Sequence, residues 1–183
     1  MTQETLKYSI WLLPSERIAT QLQDFVTDCA KATQTIPFMP HVTVLGDTLA
    51  NPEACLAAMT EIAHSLAPAT ATPLGTAGNE GYFTSYYLKF SGLDLVQDLN
   101  TELLTLLGSG TSTASTGAPV HMSLGYGPAV QARRDAFDLS LPDSAKQPMV
   151  FDTLALTTAH NKAAVEDWEV LQTVTLKGPS AQT

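Results

Sequence analysis

Apolar residues recur along the chain in two periods, which together predict strands and helices in mixed order. A β-rich run at 8–13 ends at Pro14 and indicates a first strand. Apolar residues at helical spacing predict helices after Ser15, after Asn51-Pro52 and across 95–106. Further strands are predicted at 41–45, 69–77, 82–90, 120–126, 149–158 and 168–176, with a short helix at 129–137. This order favours an α+β fold with largely antiparallel sheets.

Length and composition favour one domain over residues 1–183. The chain is 44% hydrophobic, which is ample for a core, and no apolar run reaches the ~18 residues of a membrane-spanning helix. The N-terminus lacks the layout of a signal peptide, and two cysteines are too few for a disulfide framework. We therefore expect a cytoplasmic monomer without a membrane partner. The Gly/Ser/Thr-rich stretch at 108–118 predicts a flexible loop.

The charge balance argues against a nucleic-acid polymer as partner. Nine Lys and Arg stand against eighteen Asp and Glu, for a net charge of −9, and the cations are scattered. Proteins that bind long DNA or RNA usually neutralise many phosphates with clustered Lys and Arg. A small phosphorylated molecule needs far fewer cations and stays compatible with this composition.

One internal repeat carries the candidate chemistry. Residues 40–46 read Pro-His-Val-Thr-Val-Leu-Gly, and residues 120–126 read Val-His-Met-Ser-Leu-Gly-Tyr. Both are predicted strands, so alternation places His41 with Thr43 on one face, and His121 with Ser123 on one face. Two such strands at one cleft present two imidazoles and two hydroxyls to a single small anion.

This set of side chains suits hydrolysis of a phosphodiester. In-line attack needs a base for the water and an acid for the leaving oxygen, and histidine can do either near neutral pH. Hydroxyls of Thr43 and Ser123 can hydrogen-bond the non-bridging oxygens and hold the phosphorus between the rings. A strained cyclic phosphate needs no metal or other cofactor for this reaction.

A single His-x-Thr is more often a half-buried strand residue with satisfied hydrogen bonds than a catalytic pair. The second occurrence, with matching apolar flanks, turns the balance toward catalysis. The remaining histidines, His64 and His160, have no hydroxyl two residues on and are expected at the solvated surface.

The paired motifs resemble the two-histidine phosphoesterases, specifically the small cyclic phosphodiesterases of plants and yeast. The resemblance runs along nearly the whole chain and is carried by short segments in a specific order and spacing. These are 8–14, 38–44, 119–124 with Tyr126, 154–156, and 168–170.

The resemblance implies a bilobal fold: two mainly antiparallel sheets in a pseudo-twofold arrangement, with outer helices and a central cleft. It implies hydrolysis of ADP-ribose 1″,2″-cyclic phosphate to the 1″-phosphate, and of nucleoside 2′,3′-cyclic phosphates to 2′-phosphates. His41 and His121 become the acid–base pair, with His121 as base and His41 as acid, and Thr43 and Ser123 become the phosphate ligands.

Aromatic residues are the remaining candidates for substrate binding. By the resemblance, Trp11 and Tyr126 line the cleft, where one stacks on a base or ribose and the other donates to phosphate. Phe83 is a further candidate, whereas Trp168 is expected in the core. Relatives often have a larger apolar residue at the position of Gly125, so this glycine is expected to widen the pocket or to alter base preference.

Three other functions fit parts of the pattern. An RNA-end 2′,3′-cyclic phosphodiesterase or a 2′-5′ RNA ligase-like enzyme would share the motifs but would be expected to carry more cations near the cleft. A second alternative is a non-catalytic nucleotide-binding module. The presence of both histidines and both hydroxyls argues against it, because no catalytic group has been lost. A metallohydrolase is the weakest, because no His-x-His or His-Glu-x-x-His motif is present.

Overall fold

Seven strands and five α-helices follow one another in the computed structural model, which describes residues 6–108 and 120–178. The strands are β1 (Tyr8–Pro14), β2 (Val42–Thr48), β3 (Ala69–Ala77), β4 (Tyr86–Ser91), β5 (His121–Gly125), β6 (Met149–Thr157) and β7 (Val170–Thr175). The helices are α1 (Glu16–Thr33), α2 (Pro52–Ser65), α3 (Asp94–Leu107), α4 (Pro128–Gln131) and α5 (Arg134–Ser140). The predicted α+β class is confirmed. Apart from Gly108, the predicted loop at 108–118 lies outside the described residues.

Two elements differ from the sequence prediction. The strand expected at 82–90 begins only at Tyr86, because Tyr82–Thr84 forms a 3₁₀ turn. The short helix expected at 129–137 is two helices, α4 and α5.

All seven strands belong to one antiparallel sheet, in the order β1-β2-β5-β4-β3-β6-β7. Because β1 also pairs with β6, the first six strands close on themselves and β7 extends the sheet from β6. The two separate sheets of the expected bilobal arrangement are therefore not confirmed. Closure depends on β1 and β6, which lie far apart in the sequence.

The two motif strands are neighbours, but they are joined at a single register pair. Val42 of β2 faces Met122 of β5, and no second pair links these strands among the described residues. Antiparallel order about this pair sets His41 beside the position of Ser123 and Thr43 beside that of His121. The two His-x-hydroxyl motifs thus meet head to tail, in a local pseudo-twofold relation, where the strands separate.

Alternation along the strands divides the core from the motif face. Ile10, Leu12, Val42, Met122 and Leu124 are buried in the main core, where they pack with the apolar faces of the helices. The intervening residues Trp11 and Ala155 form a separate small cluster with Ala159. One face of the sheet therefore stabilises the fold, and the other is left for the site.

Local signals place the helices that support these strands. Asn51 caps α2: its side-chain oxygen accepts a hydrogen bond from the Ala54 amide at 2.8 Å, with Pro52 as the first helical residue. Ser15 precedes α1 as predicted, but its side chain makes no capping hydrogen bond. Its backbone carbonyl instead accepts from the amides of Ile18 and Ala19.

Candidate active site

A cavity of about 460 Å³ opens on the motif face of the sheet, within the size range of small-molecule sites. It brings together all seven residues that the sequence nominated: Trp11, His41, Thr43, Phe83, His121, Ser123 and Tyr126. It is also lined by residues that the sequence analysis did not place there: Ser9, Gly46, Asp47, Ala159, His160, Asn161 and Trp168. The catalytic and binding roles of the nominated residues remain predictions.

His41 is the most tightly held group in the cavity. It lies immediately before β2, is 6% exposed, and stacks face to face on Trp11 with ring centroids 3.6 Å apart and planes 9° apart. Its Nδ1 lies 2.6 Å from the carbonyl oxygen of Met39. A carbonyl can only accept a hydrogen bond, so Nδ1 carries a proton in every charge state and Nε2 is the nitrogen that exchanges one.

Burial lowers the pKa of His41 to about 4. The Met39 carbonyl acts in the opposite direction, because it favours the protonated ring, and the nearby His121 adds repulsion that lowers the pKa further. The Trp11 indole contributes to this burial by covering one face of the imidazole. At neutral pH in the free protein, His41 is therefore uncharged, and the lone pair on Nε2 is available to accept a proton.

His121 lies at the start of β5 and is more accessible than His41. It is partly exposed, and its ring lies 4.9 Å from that of Tyr87 on the adjacent strand β4, at an angle of 56°. Its backbone pairs with Lys89. Because its ring reaches both the cavity and solvent, His121 can hold a positive charge at lower desolvation cost than His41 can.

The two hydroxyls differ in how ready they are to bind an anion. Thr43 is exposed, and among the described residues its hydroxyl has no hydrogen-bond partner. The Ser123 hydroxyl, in contrast, donates to the carbonyl oxygen of Phe83 at 3.0 Å and is buried. Ser123 must rotate away from Phe83 before it can donate to a phosphate oxygen, whereas Thr43 is ready to do so.

Aromatic rings form one wall of the cavity. Phe83 and Trp168 lie roughly parallel, with centroids 6.1 Å apart and planes 25° apart, and Tyr126 meets both edge-on. Tyr126 also stacks on Phe38 at 3.9 Å. Burial raises the pKa of the Tyr126 hydroxyl above its usual range, and the Ser123 hydroxyl acts in the opposite direction. Tyr126 is therefore a neutral hydrogen-bond donor at physiological pH.

The sequence predicts that Trp168 lies in the core, but in the structure only part of its side chain packs there. It follows the 3₁₀ turn Val165–Asp167, ahead of β7, and its ring lines the cavity while packing edge-on against Trp11 at 5.8 Å. The loop from β6 to β7 supplies this residue. The backbone of Trp168 therefore does not follow the alternation of a strand, which is why the period-two pattern misplaced it.

The end of the cavity away from the motifs is polar. Asp47, near the end of β2, is 4% exposed and has a left-handed backbone with φ 53°. One carboxylate oxygen accepts the backbone N–H of Asn161 at 3.0 Å, which ties β2 to the loop after β6. His160 of this loop is partly exposed and also lines the cavity, while His64 is exposed on α2 as expected.

Gly125 serves packing and does not widen the cavity. A Cβ built on it would lie 2.6 Å from a methyl carbon of Val130, the buried residue of α4. The glycine therefore lets α4 pack against the end of β5, and it is not among the residues that line the cavity. A larger residue here would displace α4 before it changed the site.

The sequence contains a signal that places Ser9 in the cavity, but none that places the residues of the loop after β6 there. Ser9 alternates with Ile10 and so faces the same side as Trp11, where its hydroxyl donates to the Ala159 carbonyl at 2.7 Å. His160, Asn161 and Trp168 carry no such signal, because only long-range contacts bring their loop over the cavity.

Within residues 6–108 and 120–178, no three His, Cys, Asp or Glu side chains group as metal ligands would. In the same ranges, none of the helices has the length and apolar character to cross a membrane.

Comparison with known proteins gives a likeness of fold. No protein-family model matches the sequence, and none of the curated protein sequences is significantly similar to it. The crystal structure of TT0787 from Thermus thermophilus superposes with a TM-score of 0.58 at 19% identity, covering 94% of this chain and 98% of that one. The chain therefore shares the fold of TT0787.

Weaker likenesses are found to Usb1 from Kluyveromyces marxianus. Usb1 alone gives a TM-score of 0.42 at 11% identity, covering 92% of this chain and 98% of that one. The structure of Usb1 with uridine monophosphate gives a TM-score of 0.39 at 11% sequence identity, covering 91% of this chain and 98% of that one. Likenesses of this size carry no argument about the function of this chain.

Proposed function

We propose that the protein hydrolyses small cyclic phosphodiesters with His41 and His121 as its acid–base pair. The observation that carries this proposal is the head-to-tail meeting of the two His-x-hydroxyl motifs beside the single β2–β5 register pair, on one cavity. A phosphate between the strands would have one imidazole available for each side of the phosphorus. The finer expectations, a cytoplasmic monomer and the subfamily of the small plant and yeast cyclic phosphodiesterases, belong to the same proposal.

The reaction follows from these groups. One neutral imidazole takes a proton from water as the water oxygen bonds to phosphorus. The bond from phosphorus to one ring oxygen breaks, and the protonated imidazole gives its proton to that oxygen. Hydroxyls of Thr43 and Ser123 hold the non-bridging oxygens in line. Ring strain in the substrate assists cleavage of the bond from phosphorus to the leaving oxygen. In this scheme the chain's own side chains supply every proton transfer.

The state of His41 in the free protein favours it as the base. Its pKa of about 4 leaves Nε2 unprotonated at neutral pH, and the Met39 carbonyl fixes the tautomer that a base requires. The more accessible His121 then acts as the acid. This assignment is the reverse of the one implied by the family resemblance.

A panel of substrates tests the proposal. The resemblance implies two groups: ADP-ribose 1″,2″-cyclic phosphate, giving the 1″-phosphate, and the four nucleoside 2′,3′-cyclic phosphates, giving 2′-phosphates. Purified protein should convert at least one of them, with the product identified by chromatography. If none is hydrolysed between pH 4 and pH 9, the proposal is wrong.

The hydroxyls should contribute unequally. Thr43→Ala is expected to lower kcat/KM about 2- to 13-fold, the equivalent of one neutral hydrogen bond of about 0.5–1.5 kcal/mol, and more if the bond strengthens in the transition state. Ser123→Ala should have the smaller effect on kcat/KM, because the wild-type hydroxyl must first leave the Phe83 carbonyl. Steady-state kinetics of both variants measure the difference. A larger loss for Ser123→Ala than for Thr43→Ala would contradict this interpretation of the two hydroxyls.

Chelation should leave the activity unchanged. The acid, the base and the phosphate ligands are all side chains of the chain, so exhaustive treatment with EDTA is expected to alter kcat/KM by less than about twofold. The assay compares treated protein with the same protein after addition of Mg²⁺, Mn²⁺ or Zn²⁺. Loss of activity with EDTA and recovery with one of these ions would favour the metallohydrolase alternative.

A further inference from the structure

Trp11 is enclosed although it lines the cavity. Its side chain is 3% exposed, and its indole lies face to face with the imidazole of His41, with ring centroids 3.6 Å apart. Trp168 packs edge-on against the indole at 5.8 Å, and Ala155 and Ala159 complete a small buried cluster around it. A planar group stacks on an aromatic ring only where a face of that ring is open. The contacts of Trp11 leave no face of the indole open.

Open aromatic surface is found elsewhere in the cavity. Phe83 and Trp168 are both partly exposed, and both line it. They lie outside the strands, one in the 3₁₀ turn Tyr82–Thr84 and the other in the loop before β7. A nucleoside in the cavity can therefore meet aromatic rings without contacting Trp11.

Strand register places Trp11 against His41. Trp11 pairs with Thr43 of β2 on one side and with Ala155 of β6 on the other. Because side chains alternate along a strand, the indole lies on the same face of the sheet as the two motifs. His41 immediately precedes β2, and the small side chain of Ala155 leaves room for the indole beside it. The stack of the two rings is thus a product of strand pairing.

Two contacts hold the imidazole of His41. The carbonyl oxygen of Met39 binds Nδ1 at 2.6 Å, and the indole of Trp11 covers one face, with its plane 9° from that of the imidazole. The hydrogen bond fixes the tautomer, whereas the stack opposes tilting of the ring and keeps water from its face. Together the two contacts direct Nε2, the nitrogen that exchanges a proton. A group that transfers a proton in a reaction needs such a fixed orientation.

We propose that Trp11 is a positioning residue for His41: it holds the imidazole and excludes water from one face, and it does not bind the substrate. The inference rests on the proposed function only in that His41 is the group that transfers a proton. The family resemblance implies a different role for Trp11, as a lining residue that stacks on a base or ribose or donates to phosphate. The enclosure of the indole favours the positioning role.

Replacement of Trp11 removes two opposing influences on the charge of His41. Burial disfavours the protonated ring, whereas an indole face attracts a cation. Burial is the larger influence on His41 and lowers its pKa to about 4, with added repulsion from His121. The titratable groups that share the cavity stay in place when Trp11 is replaced: His121, Tyr126, Asp47 and His160. A smaller side chain at position 11 should therefore raise the pKa of His41.

NMR titration of the histidine rings tests this role without turnover. In the wild type the His41 midpoint should lie near pH 4. In Trp11→Leu, which removes the flat cover from the imidazole, the midpoint should lie at about pH 5 or above. In Trp11→Phe, which keeps a ring over the imidazole, it should stay closer to the wild-type value. The acid limb of kcat/KM should move with the midpoint in each variant.

Phe83→Leu is the matched control, because it removes an aromatic ring from the same cavity, one that packs on Tyr126 and Trp168. Its His41 midpoint should equal that of the wild type. A midpoint that is unchanged or lowered in folded Trp11→Leu would overturn the inference.

The wild type and Trp11→Phe decide the question if Trp11→Leu does not fold. The ring current of the stacked aromatic side chain should shift the ring protons of His41 upfield of those of His64 in both proteins. Absence of this shift in the wild type would overturn the inference, because the stack with Trp11 is its basis.

Calorimetry tests whether Trp11 contacts the nucleoside, by comparing uridine 2′-phosphate with inorganic phosphate. In Trp11→Leu the ratio of the two Kd values should stay within about twofold of the wild-type ratio. A base stacked on the indole would instead cost about fivefold or more in binding of uridine 2′-phosphate alone, and that result would overturn the inference. Neither NMR nor calorimetry needs hydrolysis. The expected midpoints in a protein that hydrolyses no cyclic phosphate would therefore contradict the proposed function and leave the contact role of Trp11 in place.

Discussion

Alanine in place of His41 or His121 is expected to lower kcat for a cyclic phosphodiester by about 10²–10⁴-fold, the usual contribution of a positioned acid or base. Each substitution removes one of the two proton-transfer groups and leaves the hydroxyls and the aromatic wall in place. The two losses should not multiply in the double variant, because both groups act in one transition state. Steady-state kinetics on the three variants measure this.

The control must separate chemistry from folding. His41 stacks on Trp11, so its removal opens space beside the indole, and thermal unfolding should accompany each assay. His64→Ala, on the exposed face of α2 and outside the cavity, removes an equivalent side chain and should keep wild-type turnover. Near-wild-type activity in folded His41→Ala or His121→Ala would rule out the paired mechanism.

The pH dependence of kcat/KM should be bell-shaped, with an acid limb near pH 4. This quantity reports the free protein, in which His41 has a pKa of about 4 and must be neutral to act as base. The basic limb marks deprotonation of the acid. Two ordinary histidines would place the maximum around pH 6–7.5, so high activity retained at pH 5 is the distinguishing result. About nine-tenths of His41 is neutral there, one unit above its pKa.

The residual activity of the single variants assigns the two roles. In His41→Ala the acid limb near pH 4 should disappear, and the remaining rate should fall with rising pH as His121 loses its proton. A residual rate that instead rises with pH would make His121 the base, as the family resemblance implies. A profile rising steadily to pH 9 in the wild type, typical of a metal-bound hydroxide, would exclude the histidine pair altogether.

Local chemistry explains what could be predicted from the sequence. The Asn51-Pro52 start of α2 needs only neighbouring residues, and the cap forms as expected. Alternation in 41–45 and 120–126 separates Val42 and Met122 from the histidines, because strand geometry alone dictates it. The meeting of His41, Thr43, His121 and Ser123 at one cavity follows from this alternation once β2 and β5 are neighbours.

Contacts that form only in the folded chain determine the features that the sequence does not predict. Pairing of β1 with β6 closes the sheet, and nothing in either strand announces a partner some 140 residues away. The loop after β6 brings His160, Asn161 and Trp168 over the site through bonds such as Asp47 to Asn161. The lowered pKa of His41 likewise depends on burial, to which Trp11 contributes through a ring contact that exists only in the folded chain.

The most direct measurement follows one substrate to one product. Uridine 2′,3′-cyclic phosphate is incubated with EDTA and either wild-type protein or the His41→Ala/His121→Ala double variant purified in the same way, and phosphorus NMR identifies the product. The acid–base pair predicts that uridine 2′-phosphate accumulates with the wild type and not with the double variant. No product from the wild type, or equal product from both preparations, would contradict the central claim that these two histidines hydrolyse cyclic phosphodiesters.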